Sequence, residues 1–258
     1  MIARPLTLDA AHGTRLIAQG LRLDRDDPAL WVLDRPEFVF QLHQADIAAG
    51  ADALLTCTFG ASSERLTQLN RRTDQDAVHR AAVELARAAA GPDRLVIGDI
   101  GPHSDPKDNA RRAEAMLEAG ADALLLETYP SELAIAALSG WAGRRGIRVW
   151  VSLYEWPEPV EPIAQRLAEL GAEAIGTNCR TDLQTLAGLA RRLQGASGLP
   201  ILVKPSGGLP GQPPIAPEAM ARLVPDWLEA GARLIGSCCG STSEHVSAIR
   251  QAISVCRF

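Results

Sequence analysis

A closed barrel of eight parallel β-strands alternating with α-helices is the fold this sequence predicts, and three observations predict it. The first is a recurring phrase: Ala49-Gly50-Ala51-Asp52-Ala53-Leu54-Leu55 returns unchanged at Ala119-Gly120-Ala121-Asp122-Ala123-Leu124-Leu125, with looser copies at 170–176 and 230–236. In each copy a glycine suits the left-handed residue that ends a helix, and the short apolar run behind it suits a strand covered on both faces. The second is that eight such runs alternate with segments carrying apolar residues at helical spacing. The third is length: 258 residues fit one (β/α)8 barrel, so a single domain over 1–258 is expected.

The strands are expected at 6–9, 53–57, 95–100, 123–127, 149–153, 174–178, 201–204 and 234–238. Helices are expected at 76–90, 109–119, 131–145, 162–170, 183–193, 217–230 and 243–253. An open doubly wound sheet is the alternative, but it would normally carry a phosphate loop after its first strand. Neither G-x-G-x-x-G nor G-x-x-x-x-G-K-[ST] occurs here.

Composition narrows the function. Hydrophobic residues are 47% of the chain and charged residues 22%, the balance of a soluble globular protein. The net charge is −5 and the basic residues are scattered through helices, which argues against a nucleic-acid partner. The N-terminus lacks a basic segment with an apolar run behind it, and no stretch approaches ~20 apolar residues, so a cytoplasmic protein without a membrane partner is expected. Formation of a homo-oligomer is compatible with everything in the sequence. Five cysteines in a reducing compartment read as metal-binding or catalytic rather than as a disulfide framework.

In a barrel, side chains at the C-terminal ends of the strands face one mouth, where the chemistry sits. The candidates are Asp9, Cys57 with Thr58, Asp99, Glu127 with Tyr129, Tyr154 with Glu155, Asn178 with Cys179, Lys204 with Ser206, and Cys238 with Cys239. Cys179 ends the sixth strand and the Cys238-Cys239 pair ends the eighth, so three thiols converge on one rim. Three thiolates suit Zn2+, one ion per chain, and leave its fourth position open. The formal charge of such a site is about −1, which disfavours hydrolysis and favours binding a thiol as its nucleophilic thiolate. Cys57 and Cys256 have no partner pattern and read as ordinary small apolar residues. His245 reads as a polar residue in the first turn of the last helix.

Gly176-Thr177-Asn178-Cys179 together with Gly236-Ser237-Cys238-Cys239-Gly240-Ser241-Thr242-Ser243-Glu244-His245 resembles the zinc signature of the homocysteine S-methyltransferase family. Asp9-Ala10-Ala11-His12-Gly13-Thr14, the segment 43–59, Leu126-Glu127-Thr128 and Pro205-Ser206-Gly207-Gly208-Leu209-Pro210 resemble further family segments, so the likeness spans nearly the whole chain. The resemblance implies zinc on Cys179, Cys238 and Cys239, and homocysteine as methyl acceptor with its ammonium held by Asp9 and Glu127. Thr58, Asn178 and Ser206 are further candidates for substrate binding. Ala10, Ser206 and Ser237 depart from the family's residues and would also suit a related small thiol, such as selenohomocysteine.

The partners expected are therefore a small-molecule thiol and a methyl donor, with methionine as product. S-methylmethionine or S-adenosylmethionine is favoured as donor, because the chain ends just past the last barrel helix without folate or cobalamin modules. A betaine-type donor or a separate corrinoid protein is the alternative, and Tyr129, Tyr154, Glu155 and Trp156 are candidates to hold a sulfonium cation. Two readings of other classes remain at this point: a Schiff-base aldolase using Lys204, one of only two lysines in the chain, and a zinc or thiol-binding protein without turnover.

Overall fold

A computed structural model describes residue 2 and residues 4–141, 146–208 and 213–256. Eight parallel strands run β1 (Leu6–Thr7), β2 (Ala53–Leu55), β3 (Leu95–Ile100), β4 (Ala123–Tyr129), β5 (Val149–Leu153), β6 (Ala174–Asn178), β7 (Ile201–Lys204) and β8 (Ala232–Ile235). Their order, β1-β8-β7-β6-β5-β4-β3-β2, brings β1 and β2 to the two margins of the sheet. A parallel bridge from Leu8 to Ala53 and a hydrogen bond from Asp52 N to the Thr7 carbonyl (2.8 Å) join those margins into a barrel. The open doubly wound alternative is thereby excluded.

Alternation along each strand sorts the core into two layers. Leu8, Leu55, Ile97, Leu125, Trp150, Leu202 and Leu234 fill the barrel interior together with Ala53, Ala123 and Ala174. Intervening residues such as Val96, Leu124, Val151, Ile175 and Val203 pack outward against the helices. Trp150 is the largest interior residue, and the alanines beside it supply the space it occupies.

The helices follow their predicted segments with instructive exceptions. The segment expected at 217–230 divides into Pro217–Ala221 and Val224–Glu229, because Pro225 has no N–H to give the preceding turn. The helix expected at 131–145 is described as Ser131–Trp141, and its remaining residues lie outside the described residues, as do Leu209 and Pro210. β8 is regular only to Ile235, short of the expected Cys238, although pairing with the β7 side goes on: Gly236 N donates to the Val203 carbonyl (3.1 Å), Cys238 N donates to the Pro205 carbonyl (2.7 Å), and Cys238 bridges Ser206. Helix Pro36–Ala48, with Pro36 at its first turn, was not among the predicted segments. Among the described residues no helix is long and apolar enough to cross a membrane.

Trp150 is fully buried and its indole N–H has no partner. Trp150→Ala is expected to cost about 3–5 kcal/mol in urea unfolding, through lost burial plus a cavity, while Trp150→Phe costs less because it also removes the unpaired donor.

Candidate active site

The cysteine trio is assembled by three short loops that hold one another through their backbones. Cys179 sits one residue beyond β6 with φ 57°, a left-handed conformation that a non-glycine residue adopts only where its surroundings enforce it. Its N–H donates to the Lys204 carbonyl (3.0 Å), while Ser206 N donates to the Arg180 carbonyl (2.8 Å). Gly207 N in turn donates to the Cys239 carbonyl (2.7 Å). Gly240 has φ 75°, and a Cβ there would run into the Gly208 backbone, so this glycine is required by conformation and by contact alike.

These constraints bring the sulfurs of Cys179, Cys238 and Cys239 within 4.8 Å of one another. Cys179 and Cys238 are joined as a disulfide, and Cys239 is a free thiol 3.7 Å from the Cys179 sulfur. Burial and then the charge of Glu127 push the Cys239 thiol up. Three soft donors at this spacing fit zinc, and two of them can alternatively pair with each other by oxidation. Cys57, by contrast, donates to the Pro28 carbonyl (3.5 Å), and Cys256 donates to that of Ala252 (3.3 Å). His245 forms a capping box with Thr242 and its Nε2 lies 2.9 Å from the Ile215 carbonyl, as its expected place in the first turn requires.

All three cysteines line a cavity of about 520 Å3 at the barrel mouth, with Thr58, Asp99, Glu127, Thr128 and Lys204. Leu23, Pro28, Phe59 and Pro102 form its apolar wall. Lys204 Nζ donates to Glu127 Oε1 at 2.7 Å, both side chains being buried. Burial works against the lysine's charge, but Glu127, Asp9 and Asp99 outweigh it and push the ammonium's pKa up. A lysine held protonated has no lone pair for a carbonyl, so the Schiff-base reading of Lys204 finds no support.

Asp9 is fully buried behind the cavity wall, where its Oδ2 accepts the Leu55 N–H (2.8 Å) and its Oδ1 has no partner. Burial raises its carboxyl to about 7. His12 Nε2 stands 3.4 Å from Asp9 Oδ2, and the His12 and His43 rings meet edge to face at 5.0 Å. Burial lowers His43 to about 3 and holds His12 well below the usual histidine range, so both rings are neutral and the acid keeps its capacity for a cation. The neighbouring Arg15 is occupied by Asp46, at 2.9 and 2.6 Å.

The remaining predicted residues divide by what they touch. Thr58 Oγ1 donates to the Asp99 carbonyl (2.6 Å) and Ser206 Oγ to the Cys239 carbonyl (2.9 Å). Asn178 Nδ2 donates to Thr128 Oγ1 (2.6 Å), and Asn178 Oδ1 accepts the Thr128 N–H (3.2 Å), fixing Thr128 at φ 62°. The aromatics expected to hold a donor lie elsewhere: the Tyr129 hydroxyl donates to the Gly101 carbonyl (3.2 Å) and the Trp156 indole to that of Gly176 (3.1 Å), and neither they nor Tyr154 and Glu155 line the cavity. The aromatic that does is Phe59, which sequence reasoning did not single out although it follows Thr58 directly.

Comparison with known proteins gives this mouth its context. The chain is 28% identical to a methionine synthase of Mycobacterium tuberculosis over 97% of its own length, and it spans about a quarter (25%) of that relative. It is 29% identical to a homocysteine S-methyltransferase of Escherichia coli, covering 95% of this chain and 94% of the relative. The homocysteine methyltransferase MmuM of Escherichia coli superposes in its metallated form with a TM-score of 0.82, 27% identity and 96% of each chain covered. Its oxidized form also gives 0.82, at 26% identity over 96% of this chain and 95% of that one. The family model described as homocysteine S-methyltransferase matches residues 6–253, and the chain belongs to the homocysteine S-methyltransferase family.

Proposed function

We propose that this protein transfers a methyl group from a small donor to the thiol of homocysteine, giving methionine, and that it does so with one zinc ion held by Cys179, Cys238 and Cys239. The observation that carries the proposal is the convergence of three sulfurs on a cavity that also presents a buried acid–lysine pair. Bound zinc supplies stabilisation of an incoming thiol as its thiolate. The chain's own residues do the rest. The cysteines present soft donors on loops fixed by Gly240, Ser206 and the Lys204 carbonyl. Asp9 and Glu127 supply negative charge for the amino-acid ammonium, Lys204 balances Glu127, and Thr58, Asn178 and Ser206 hold the surrounding backbone in register. The acceleration comes from alignment of sulfur and methyl carbon in a cavity with an apolar wall, since no proton moves in the displacement itself.

A sulfonium compound, S-methylmethionine or S-adenosylmethionine, is the proposed donor. Its soft, weakly hydrated cation suits the wall formed by Leu23, Pro28, Phe59 and Pro102. A cytoplasmic setting fits the reading, because the three thiols bind metal only while reduced.

The test is metal content and methionine formation, measured on reduced protein with homocysteine and a panel of methyl donors. One zinc per chain and methionine from a sulfonium are expected. Cys239→Ala is expected to lose zinc and turnover together, by a factor of at least about a hundred in each, whereas Cys256→Ala changes neither. Full zinc and full turnover in the Cys239 variant would sink the three-thiolate site.

Asp9 gives a pH prediction with a definite sign. Its carboxyl titrates at about 7, and only the ionised form attracts an ammonium, so methionine should bind more tightly at about pH 8 than at about pH 6. Calorimetric titration reads the change directly, and a pH-independent affinity would remove Asp9 from the ammonium's surroundings.

A further inference from the structure

Asp99, the acid at the end of β3, is taken up neither by the resemblance nor by the reading above. It is 4% exposed, it lines the cavity with Glu127 and Lys204, and its Oδ1 has no hydrogen-bond partner. Its main chain is fixed on both sides: its N–H donates to Thr56 Oγ1 (2.9 Å) and its carbonyl accepts Thr58 Oγ1 (2.6 Å). A buried carboxyl oxygen left without a partner is costly, and such a group in a cavity signals a missing ligand atom.

The other acids of the mouth are already engaged. Glu127 is paired with Lys204, and Asp9 lies behind the wall with one oxygen on the Leu55 N–H. Asp27, the third acid lining the cavity, accepts from the Ala29 N–H (3.0 Å) and pairs with Arg65 (3.2 Å). Arg112, the arginine nearest Asp99 in charge effect, is itself held by Asp108 (3.0 Å). Asp9, Asp99 and Glu127 all act on Lys204, yet Lys204 Nζ donates to Glu127 and leaves Asp99 Oδ1 without a partner. Burial, and then the charge of Glu127, hold the Asp99 carboxyl well above the usual carboxylate range, and an ammonium donating to Oδ1 would favour its ionised form.

We infer that Asp99 is a substrate-binding residue that receives the ammonium of the amino-acid thiol, and so selects thiols bearing an α-amino group. The inference rests on the reading of the cavity as the thiol site. It adds the β3 acid to Asp9 and Glu127 as a third carboxyl around the ammonium, the one whose oxygen facing the cavity is without a partner.

The experiment compares Asp99→Asn with the wild-type protein on homocysteine and on 4-mercaptobutyrate, which keeps the thiol and carboxylate and lacks the amine. The expected result is a kcat/KM for homocysteine lowered about ten- to a hundredfold, mainly through KM, with that for 4-mercaptobutyrate and the zinc content unchanged. Asp99→Glu should recover part of the loss. Equal losses on both thiols, or none on homocysteine, would overturn the assignment. Calorimetric binding of methionine against 4-(methylthio)butanoate keeps the question open to test should the wild type form no methionine. The same selective loss in Asp99→Asn is expected there, and equal binding of the two compounds by the wild type would overturn the inference independently of turnover.

Discussion

The carboxylate of Asp9 occupies the seam of the barrel. Where β1 and β2 meet, the ladder is reduced to one bridge, and the Leu55 N–H is taken by Asp9 Oδ2 instead of by a backbone carbonyl. Closure of the fold and placement of a buried charge are therefore one interaction. A charge so deep is tolerable only among neutral or compensating groups. His12 and His43 are kept neutral beside it, Arg15 is spent on Asp46, and Lys204 adds its positive charge from β7, two strands away. The polar arrangement of the whole mouth follows from making that seam electrostatically acceptable.

Lys204 is the pivot of this arrangement. Its charge is shared by Glu127 on β4, Asp9 just beyond β1 and Asp99 on β3, so one lysine on β7 couples acids from separate parts of the barrel. Its carbonyl also receives the Cys179 N–H, which holds that residue in its left-handed conformation. The backbone of one residue thus positions a cysteine of the trio while its side chain sets the field of the mouth. Replacing it with arginine would keep the charge and lose the compact fit of an ammonium between buried carboxylates.

The sequence made the barrel legible because each αβ joint repeats the same physical solution: a glycine ends the helix and an apolar run enters the sheet. Gly50 and Gly120, at the two unchanged copies, both have φ near 100°. The cysteine trio was legible for a related reason, since strand ends converge by construction. What could not be read was occupancy: periodicity brings Asp9, Asp99 and Glu127 to the mouth but cannot show that Lys204 pairs with Glu127 or that Asp9 is fully covered. Tyr129 and Trp156 misled for the same reason, because a strand-end aromatic points either to the mouth or into the helical layer, and only packing decides.

The lining of the cavity divides by origin, and the division bears on how two reactants meet. The sulfurs come from the loops after β6 and β8, whereas Leu23, Pro28, Phe59 and Pro102 come from those after β1, β2 and β3. In the proposed reaction a thiolate anchored on the cysteine side faces a wall that offers contact area without hydrogen bonds. Such a wall does not compete for the nucleophile's lone pair and strips water from the approach, so the attacking sulfur keeps its reactivity. A donor pressed against that wall would present its methyl carbon toward the cysteines, because the buried Lys204–Glu127 pair adjoins the sulfurs, with Lys204 on β7 between the strands that carry them. Recognition and alignment then come from the same placement of the sulfurs and the apolar wall on different βα loops, which is set before either substrate arrives.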